Sequence, residues 1–306
     1  MKWIEKPVSL ENREEILRYA ALRPVCTVEG HFLCNYIWKD YYHMRYHVED
    51  DFLCLLIDGA GNTPGVVVPF CREENLIRVF FHIEKYFHEE LNLPMRMYLV
   101  DKYSLGILEG NSCFLEKYQV SGDRDCYDYV YDADKLRTLS GKAYHKKKNH
   151  FNSFMRKYEN RYSYCSLNKD NSEEILGLYE LWQKEHHDND RYHTIETEKN
   201  AIMDILNHQE ELQAHVGGIR IDGRLQAFSV GSYDEAIKCA YIHMEKANNE
   251  IPELFTVINQ QFILHEFPEA KYVNREDDLG QEGLRRAKLS WKPIFLAEKY
   301  SIIEKN

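Results

Sequence analysis

The most informative stretch of this 306-residue chain is residues 272–288, YVNREDDLGQEGLRRAK, which gathers many charged side chains of both signs. An amide, carboxylates, guanidinium groups and an ammonium group follow one another around Gly280 and Gly283, with apolar strand-like runs on either side. Glycines in a charged loop between buried elements indicate a backbone that bends close to something. We therefore interpret the stretch as the polar wall of a site. The alternative is a solvated loop whose surface ion pairs add little stability.

Two sets of side chains in this loop suit ligand groups of opposite charge. Asn274, Glu276 and Asp278 alternate, so on an extended chain they would face one way and could bind an α-ammonium group. Arg285 and Lys288 are three residues apart and would share one face of a helix, where they could bind a phosphate or a carboxylate. The predicted substrate-binding residues of the loop are Asn274, Arg275, Asp278, Arg285 and Lys288.

A second candidate is the carboxylate that follows the strand-like run CAYIHM at 239–244. Tyr241, His243 and Glu245 alternate, so we expect them on one face of a strand. A group-transfer reaction needs a held acceptor, a path for its proton and a donor for developing negative charge. Glu245 could take that proton or hold an amino group, and Glu245 and Glu276 are the predicted catalytic carboxylates. The alternatives are a helix-start carboxylate for Glu245 and, for His243, a satisfied core histidine, which we favour.

The basic segment GKAYHKKKNHFNSFMRKY at 141–158 predicts a helix that joins two halves of the chain. Its apolar stripe comprises Tyr144, Phe151, Phe154, Met155 and Tyr158. Lys147 falls on that stripe, so its ammonium group either snorkels to solvent or lines a cleft for an anionic ligand. Because the rest of the protein is acidic, we predict that Lys146, Lys147 and Lys148 bind such an anion.

Composition and charge limit the class of protein. A formal charge of -11 and a pI near 5.7 argue against broad, nonspecific nucleic-acid binding, although they allow a local basic cleft. The eight cysteines form no CxxC pair, and most lie in apolar runs, as expected of reduced thiols in a cytosolic protein. The sequence shows no apolar signal segment and no apolar run long enough to span a membrane. We therefore expect a cytoplasmic protein without an integral membrane segment.

No metal site is predicted from the sequence. The stretch HHDNDRYH at 186–193 is rich in metal-ligand residue types, but their spacing is irregular, and a polar loop is the better interpretation. No GxGxxG, P-loop, GxSxG or HExxH motif occurs. Their absence excludes dinucleotide-binding, Walker-type nucleotide-binding, hydrolase and zincin interpretations.

The predicted elements occur twice in one order: helix, helix, strand hairpin, strand, helix, strand. The first half is weaker, with helices at 10–22, 32–42 and 74–91 and strands at 51–57, 66–70 and 95–100. The second half has helices at 172–185, 196–206 and 251–267 and strands at 216–221, 225–230, 239–244, 271–273 and 294–300. Asp222-Gly223 is the strongest hairpin signal. This order predicts an α+β fold with mixed, mostly antiparallel sheets flanked by helices, as two domains at 1–140 and 141–306.

Six motifs carry a family resemblance: NYIWKDYY (35–42), DYVYDADKLRTLSGKAYHKKKNHFNSF (128–154), VGGIRIDGRLQAFSVG (216–231), YIHMEKAN (241–248), INQQF (258–262) and YVNREDDLGQEGLRRAKLSWKP (272–293). Through them the chain resembles, over nearly its whole length, the C-terminal catalytic domain of phosphatidylglycerol lysyltransferases in its small bacterial branch. The last motif and the KKKNHFN segment are the most specific, whereas the hairpin motif alone would be weak.

The resemblance implies two tandem domains of the GNAT acyltransferase type, the first of them degenerate. It also implies transfer of an aminoacyl group from a charged tRNA to a small-molecule amine or hydroxyl acceptor. The lysyltransferases carry a long membrane-spanning half before this domain, and the sequence shows none, which argues against a lipid acceptor.

The donor implied by the resemblance is aminoacyl-tRNA or acyl-CoA. GNAT enzymes that use acetyl-CoA place its pyrophosphate at the start of the helix after the fourth strand. Here that stretch reads EKANNEIPEL at 245–254, so that Glu245, Glu250 and Glu253 crowd the position of the phosphates, and the stretch has no glycine. Two alternatives to the aminoacyltransferase remain: an acetyl-CoA-dependent N-acetyltransferase, and a non-catalytic protein that binds a ligand or tRNA on the same fold.

Overall fold

The protein, described as a computed structural model over residues 3–59, 61, 63–186 and 195–305, divides into two compact units. The first comprises Met1–Asp128, Asp277–Gln281 and Leu296–Asn306, and the second comprises Tyr129–Glu276 and Glu282–Phe295. Each unit contains segments that are separated in the sequence, so the units are not two consecutive halves of the chain. The division of the sequence into domains at 1–140 and 141–306 therefore stays a prediction.

The helices are α1 (Arg13–Ala20), α2 (Phe32–Trp38), α3 (Leu76–Tyr86), α4 (Lys102–Glu109), α5 (Ser112–Lys117), α6 (Ala133–Thr138), α7 (His145–Lys157), α8 (Ser172–His186), α9 (Ile195–Asn207), α10 (Gln209–Leu212), α11 (Leu254–Glu266) and α12 (Glu282–Leu289). Each predicted helix has a counterpart among them. The helix expected at 251–267 begins later, at Leu254, because Pro252 and Glu253 lie in a preceding turn. The connecting basic helix is α7.

The strands are β1 (Lys6–Pro7), β2 (Arg45–Glu49), β3 (Phe52–Ile57), β4 (Gly65–Val67), β5 (Phe70–Cys71), β6 (Arg96–Asp101), β7 (Tyr118–Gly122), β8 (Asp128–Asp132), β9 (Tyr162–Ser166), β10 (His215–Ile221), β11 (Arg224–Asp234), β12 (Cys239–Ala247), β13 (Tyr272–Asn274), β14 (Phe295–Ala297) and β15 (Lys299–Glu304). The sheet of the first unit has the order β1-β2-β3-β4-β6-β15-β7, and β5 pairs with β3. The strands of the second unit lie in the order β8-β13-β12-β11-β10-β9.

One arrangement occurs in both units: three antiparallel strands, a helix, and a strand parallel to the third. In the first unit β2, β3 and β4 are antiparallel neighbours and β6 is parallel to β4. In the second unit β10, β11 and β12 are antiparallel neighbours and β13 is parallel to β12. The connecting helices are α3 and α11, and each buries an apolar face against its sheet. The predicted internal repetition is therefore confirmed.

The β10–β11 hairpin has the turn that its sequence requires. Asp222 and Gly223 have φ angles of 50° and 80°, so both central residues are left-handed. This is the conformation of a type I′ turn, whose twist matches that of the flanking strands. The predicted strands at 216–221, 225–230 and 239–244 are consecutive and antiparallel, as expected.

The first unit buries an ionic cluster at the start of β15. Lys299 Nζ lies 2.5 Å from Glu29 Oε1 and 2.6 Å from Asp128 Oδ1. Asp128 Oδ2 accepts a hydrogen bond from the Val28 amide at 2.8 Å. Lys299 is 1% exposed, Asp128 0% and Glu29 8%. Burial and the Asp128 carboxylate raise the pKa of Glu29 to about 7, although Lys299 acts in the opposite direction.

Because the pKa of Glu29 is raised in the folded protein, the free energy of unfolding should decrease as pH rises. Between its usual pKa and about 7 the folded protein holds a proton that the unfolded chain has released, so the free energy of unfolding decreases as pH rises through this range. Glu29→Gln should flatten the fall in unfolding free energy between pH 5 and pH 7.5, measured in urea. The exposed Glu109→Gln serves as the control. An equal pH dependence in the wild type and Glu29→Gln would contradict this assignment.

Candidate active site

Two parallel strands of the second unit separate beyond a short pairing. β12 and β13 pair only through Cys239 with Tyr272, Ala240 with Val273, and Tyr241 with Asn274. β12 then continues to Ala247, whereas the chain after Asn274 stays hydrogen-bonded to β8 through Tyr129. The pairing ends there, and we refer to the place where the two strands separate as the β12–β13 opening. Polar side chains from both strands reach it, so it is the candidate site.

A β-bulge at His243 changes which residues of β12 share a face. Tyr241 lies opposite Ser232 and Glu245 lies opposite Ser229, with His243 as the extra residue. The two serines are three residues apart on a regular part of β11, so they point to opposite faces of the sheet. Tyr241 and Glu245 therefore also face opposite ways. The expectation that Tyr241, His243 and Glu245 share one face is wrong, because simple alternation does not survive a bulge.

The chain after β13 is not extended either. Glu276 has a φ of 56°, in the left-handed region, which costs a non-glycine residue free energy unless its surroundings hold it there. Its amide donates to Asn274 Oδ1 at 2.7 Å, and Asn274 is fully buried. The expectation that Asn274, Glu276 and Asp278 face one way on an extended chain is therefore wrong. Asn274 instead fixes the backbone turn that presents Glu276.

An ion pair spans the β12–β13 opening. Arg275 Nη2 donates to Glu245 Oε1 at 3.0 Å, and both side chains are nine-tenths buried, with 12% and 10% of their surface exposed. Asn259, from α11, donates through Nδ2 to Glu245 Oε2 at 3.2 Å. Because a carboxylate can only accept, this contact also fixes the orientation of the Asn259 amide. Glu245 thus faces α11 and is held from two sides.

Two buried polar atoms beside Glu245 lack hydrogen-bond partners within the described part of the chain. They are Nη1 of Arg275, a donor, and Oδ1 of Asn259, an acceptor. Asn259 is 1% exposed. A buried group without a partner costs about 1–3 kcal/mol, so folded proteins rarely leave one without a reason. A ligand that offers both an acceptor and a donor would satisfy both atoms.

Two cations flank the indole ring of Trp291 near this ion pair. Lys147 Nζ, from α7, lies 4.2 Å from the ring centroid, and Arg275 Cζ lies 5.5 Å from it. Burial and the neighbouring Arg275 guanidinium lower the pKa of Lys147 to about 8. The ammonium group of Lys147 is therefore not free in solvent, and it lies close to Arg275 of the predicted loop at 272–288. It is half-buried beside the groups that bind Glu245.

The other predicted substrate-binding residues occupy several positions. Lys288, nearly buried on α12, donates through Nζ to the Arg275 carbonyl oxygen. Arg285 is half-buried one turn earlier on α12, and Lys146 and Lys148 are exposed on α7. Direct contacts thus connect Asn274, Arg275, Glu276, Lys288 and Glu245, with Lys147 beside them across Trp291. Whether these residues act on a substrate stays a prediction.

Asp278 belongs to the first compact unit, together with Asp277 and Gly280. It is fully buried, and its carboxylate accepts from Arg124 at 3.2 Å and from the Gly280 amide at 3.0 Å. Gly280 has a φ of 68°, and a Cβ there would meet the Asp125 carboxylate at 2.4 Å. These contacts give Asp278 and Gly280 a structural role in that unit.

A glutamate lies at the start of α11, the position at which GNAT enzymes that use acetyl-CoA bind its pyrophosphate. Glu253 directly precedes the helix, and its Oε2 is buried without a partner among the described residues. Its Oε1 accepts from Ser153 Oγ at 3.3 Å. An anion held at a helix N-terminus is stabilised by the dipole there, and a second anion is repelled. The Glu253 carboxylate would therefore repel a pyrophosphate bound at this point.

Metal ligation is not apparent in the described ranges. Over residues 3–59, 61, 63–186 and 195–305, no three His, Cys, Asp or Glu side chains form a group that could hold a metal ion. Most of the histidine-rich stretch, residues 187–193, lies outside the described residues.

Comparison with known proteins places the chain in context. A profile of the family described as phosphatidylglycerol lysyltransferase, C-terminal, matches residues 27–303. A protein of unknown function from Bacteroides thetaiotaomicron is similar in structure, with a TM-score of 0.90, 28% identity and coverage of 99% of this chain and 100% of the other. L-PGS from Bacillus licheniformis has a TM-score of 0.67 at 13% identity, over 100% of this chain and 95% of that one.

A tandem GNAT protein from the clavulanic acid biosynthesis pathway has a TM-score of 0.50 at 9% identity, over 99% of this chain and 98% of that one. The expected fold of two tandem GNAT-like domains and the expected family resemblance are both confirmed.

An uncharacterised protein of Mycoplasmoides gallisepticum is 23% identical over 186 residues, and the match spans 57% of this chain and 55% of that relative. The chain thus covers about half the length of this relative. Within the residues that the structure describes, no helix combines the length and apolar character needed to cross a bilayer.

Proposed function

Because the chain belongs to the phosphatidylglycerol lysyltransferase C-terminal family, we propose that it transfers an aminoacyl group from a tRNA to an amine or hydroxyl acceptor. Its fold is that of aminoacyltransferase-like acyltransferases. The observation that carries the proposal is the pair of unsatisfied atoms beside Glu245, the donor Nη1 of Arg275 and the acceptor Oδ1 of Asn259.

An α-aminoacyl ester matches these two atoms. Its ammonium group donates hydrogen bonds, which Asn259 Oδ1 and the Glu245 carboxylate can accept. Its carbonyl oxygen accepts, and Arg275 Nη1 can donate to it. In the transition state that oxygen becomes negative, and a charged donor already fixed in a buried site stabilises it without reorganisation. The Glu245–Arg275 ion pair keeps both groups ready in the absence of substrate.

The start of α11 favours this donor over acetyl-CoA. Glu253 directly precedes the helix N-terminus, where a GNAT enzyme that uses CoA would bind the pyrophosphate, although its carboxylate does not cap the helix amides. A dianionic pyrophosphate would meet that carboxylate at close range. An aminoacyl ester on a terminal ribose brings no pyrophosphate, so the same position does not oppose it.

The second unit is the better candidate for the reaction, since the matching position in the first unit is filled. β4 and β6 pair through Val67 and Tyr98. Beyond this pair, the buried guanidinium of Arg23 bonds to both the segment after β4 and the end of β6. Arg23 Nη2 donates to the Pro69 carbonyl oxygen at 2.8 Å, and Nη1 donates to Asp101 at 3.3 Å. In the first unit the Arg23 guanidinium thus occupies the position that corresponds to the β12–β13 opening of the second unit.

The basic face of α7 supports tRNA as the carrier. Lys146 and Lys148 are exposed on either side of Lys147 in a protein with a formal charge of -11. We expect glutamate substitutions at all three positions to weaken binding of total tRNA at least about tenfold at 50 mM salt and to reduce the slope of log affinity against log salt. Filter binding between 50 and 200 mM salt measures both.

A variant with the same change in charge controls for net repulsion. Glutamate at the exposed positions Lys169, Arg224 and Lys271 of the second unit alters the formal charge equally. If that variant and the Lys146–Lys148 variant lose affinity to the same degree, α7 is not the tRNA-binding surface. If neither changes affinity, the proposal of a tRNA carrier is wrong.

A further inference from the structure

A chain of three side chains runs from the sheet of the second unit to the β12–β13 opening. The Oγ of Ser232 lies 2.7 Å from Nε2 of His243, and Nδ1 of His243 lies 2.8 Å from Oε1 of Glu276. Ser232 and the His243 side chain are each 1% exposed, whereas the Glu276 side chain is 21% exposed. The serine is therefore the buried end and the carboxylate the accessible end.

The chemistry of the three groups fixes the direction of both hydrogen bonds. Burial lowers the pKa of His243 to about 3, so the imidazole is neutral and carries one N–H. An ionised carboxylate can only accept, so that N–H must be at Nδ1 and must donate to Glu276. Nε2 then accepts, and the Ser232 hydroxyl donates to it. The opposite tautomer would place a ring lone pair against a carboxylate oxygen at 2.8 Å.

The same three residue types form the triad of serine hydrolases, in which the serine is accessible and the acid is buried. Here the exposures are reversed, so the serine hydroxyl is not presented to a substrate. Two further features fix the carboxylate end. The β-bulge puts His243 at the point where the strands separate, and Asn274 holds Glu276 in its left-handed conformation.

We propose that His243 and Ser232 are positioning residues that hold the Glu276 carboxylate at the β12–β13 opening as the proton acceptor for the acceptor substrate. This role rests on the proposed aminoacyl transfer. As the acceptor nitrogen or oxygen forms its bond to the carbonyl carbon, its proton passes to Glu276. The bond from that carbon to the ribose oxygen then breaks, and Glu276 returns the proton to the departing oxygen. The fixed Nδ1–H keeps the carboxylate oriented through both steps.

The tautomer of His243 tests the positioning without any substrate. Long-range ¹H–¹⁵N correlation spectra of the ¹⁵N-histidine-labelled full chain should show His243 with a protonated Nδ1 and an unprotonated Nε2 at neutral pH. In Glu276→Gln the neighbouring amide can either donate or accept, so this preference should be lost in part. An imidazolium, or a proton on Nε2 in the wild type, would overturn the proposal.

Paired substitutions at His243 connect the tautomer to turnover. The side-chain amide of Asn can present an N–H near the position of Nδ1, whereas Leu cannot. We expect His243→Leu to lower kcat for aminoacyl transfer at least about tenfold at unchanged KM, and His243→Asn to recover part of that loss. Equal kcat in the wild type and His243→Leu, both folded by circular dichroism, would overturn the role of His243. If the wild type shows the expected tautomer but transfers no aminoacyl group, the geometry stands and the proposed function fails.

Discussion

Replacing Arg275 with methionine is expected to lower the free energy of unfolding by about 3 kcal/mol. The guanidinium group is the ionic partner of Glu245, and both side chains are nine-tenths buried. Its removal leaves a carboxylate in a low-dielectric position that keeps the hydrogen bond from the Asn259 amide and the more distant charge of Lys147. The loss should lie near the lower end for a broken buried pair, since about a tenth of each side chain still meets solvent. Urea unfolding of the wild type and Arg275→Met measures it.

A double substitution separates the lost partner from lost packing. Glu245→Gln removes the charge that Arg275 neutralises, so the variant with Glu245→Gln and Arg275→Met should be more stable than Arg275→Met alone. Arg286→Met is the matched control, because Arg286 lies on α12 with 74% of its side chain exposed. A loss below about 0.5 kcal/mol is expected there. If Arg275→Met costs no more than this control, the ion pair does not exist in solution.

The largest loss of stability is expected from Lys299→Met, about 4 kcal/mol at pH 8. Lys299 is the cation of the buried cluster in the first unit, and both Glu29 and Asp128 depend on it. Without it, two carboxylates lie together away from water. At pH 5 they can relieve the repulsion by taking up a proton, so the loss should be smaller there. Urea unfolding at the two pH values measures the difference.

The exposed Lys102→Met is the control for Lys299. Lys102 also pairs with a carboxylate, Glu298, but 69% of its side chain is exposed. Such pairs contribute about 0–1 kcal/mol. A loss below about 1 kcal/mol for Lys299→Met, or a loss that does not depend on pH, would show that the cluster is not a buried ionic unit.

The elements that were predicted correctly are those determined by residues close together in the sequence. The turn residues Asp222 and Gly223 select the β10–β11 hairpin without help from the rest of the chain. The apolar spacing of Leu76, Val79, Phe80 and Ile83 suffices to define α3. The family resemblance added the tandem arrangement of domains, which element order alone only indicated.

Elements that depend on partners distant in sequence were missed. β8, with the sequence DYVYD, has no clear alternation because both of its faces are buried, and its neighbour β13 follows much later in the chain. α12 was expected only through the spacing of Arg285 and Lys288, and its bounds, Glu282–Leu289, were not predicted. The bulge leaves His243 unpaired between the Val230–Met244 and Gly231–Ile242 pairs, and it reversed the predicted facing of Glu245.

Sequence reasoning found the charged residues of the candidate site and missed the neutral ones. Glu245, Glu276 and Arg275 are conspicuous because they are charged next to apolar runs. Asn259 and Ser232 are small polar residues inside buried elements, and Trp291 resembles any core aromatic residue. A signal existed for Asn259, since the amides of INQQF lie within an apolar helix and a buried amide requires partners. Which partners these are depends on the fold.

Binding of a stable analogue of the aminoacyl-tRNA terminus is a direct test of whether the candidate site recognises an aminoacyl ester. In 3′-aminoacylamino-3′-deoxyadenosines an amide replaces the labile ester, and a set with lysyl, alanyl and glutamyl groups covers the main side-chain charges. Isothermal titration calorimetry should show that at least one binds the wild type at least about tenfold more tightly than 3′-amino-3′-deoxyadenosine or acetyl-CoA. Glu245→Gln should reduce that preference. Tighter binding of acetyl-CoA than of every aminoacyl analogue would contradict the account.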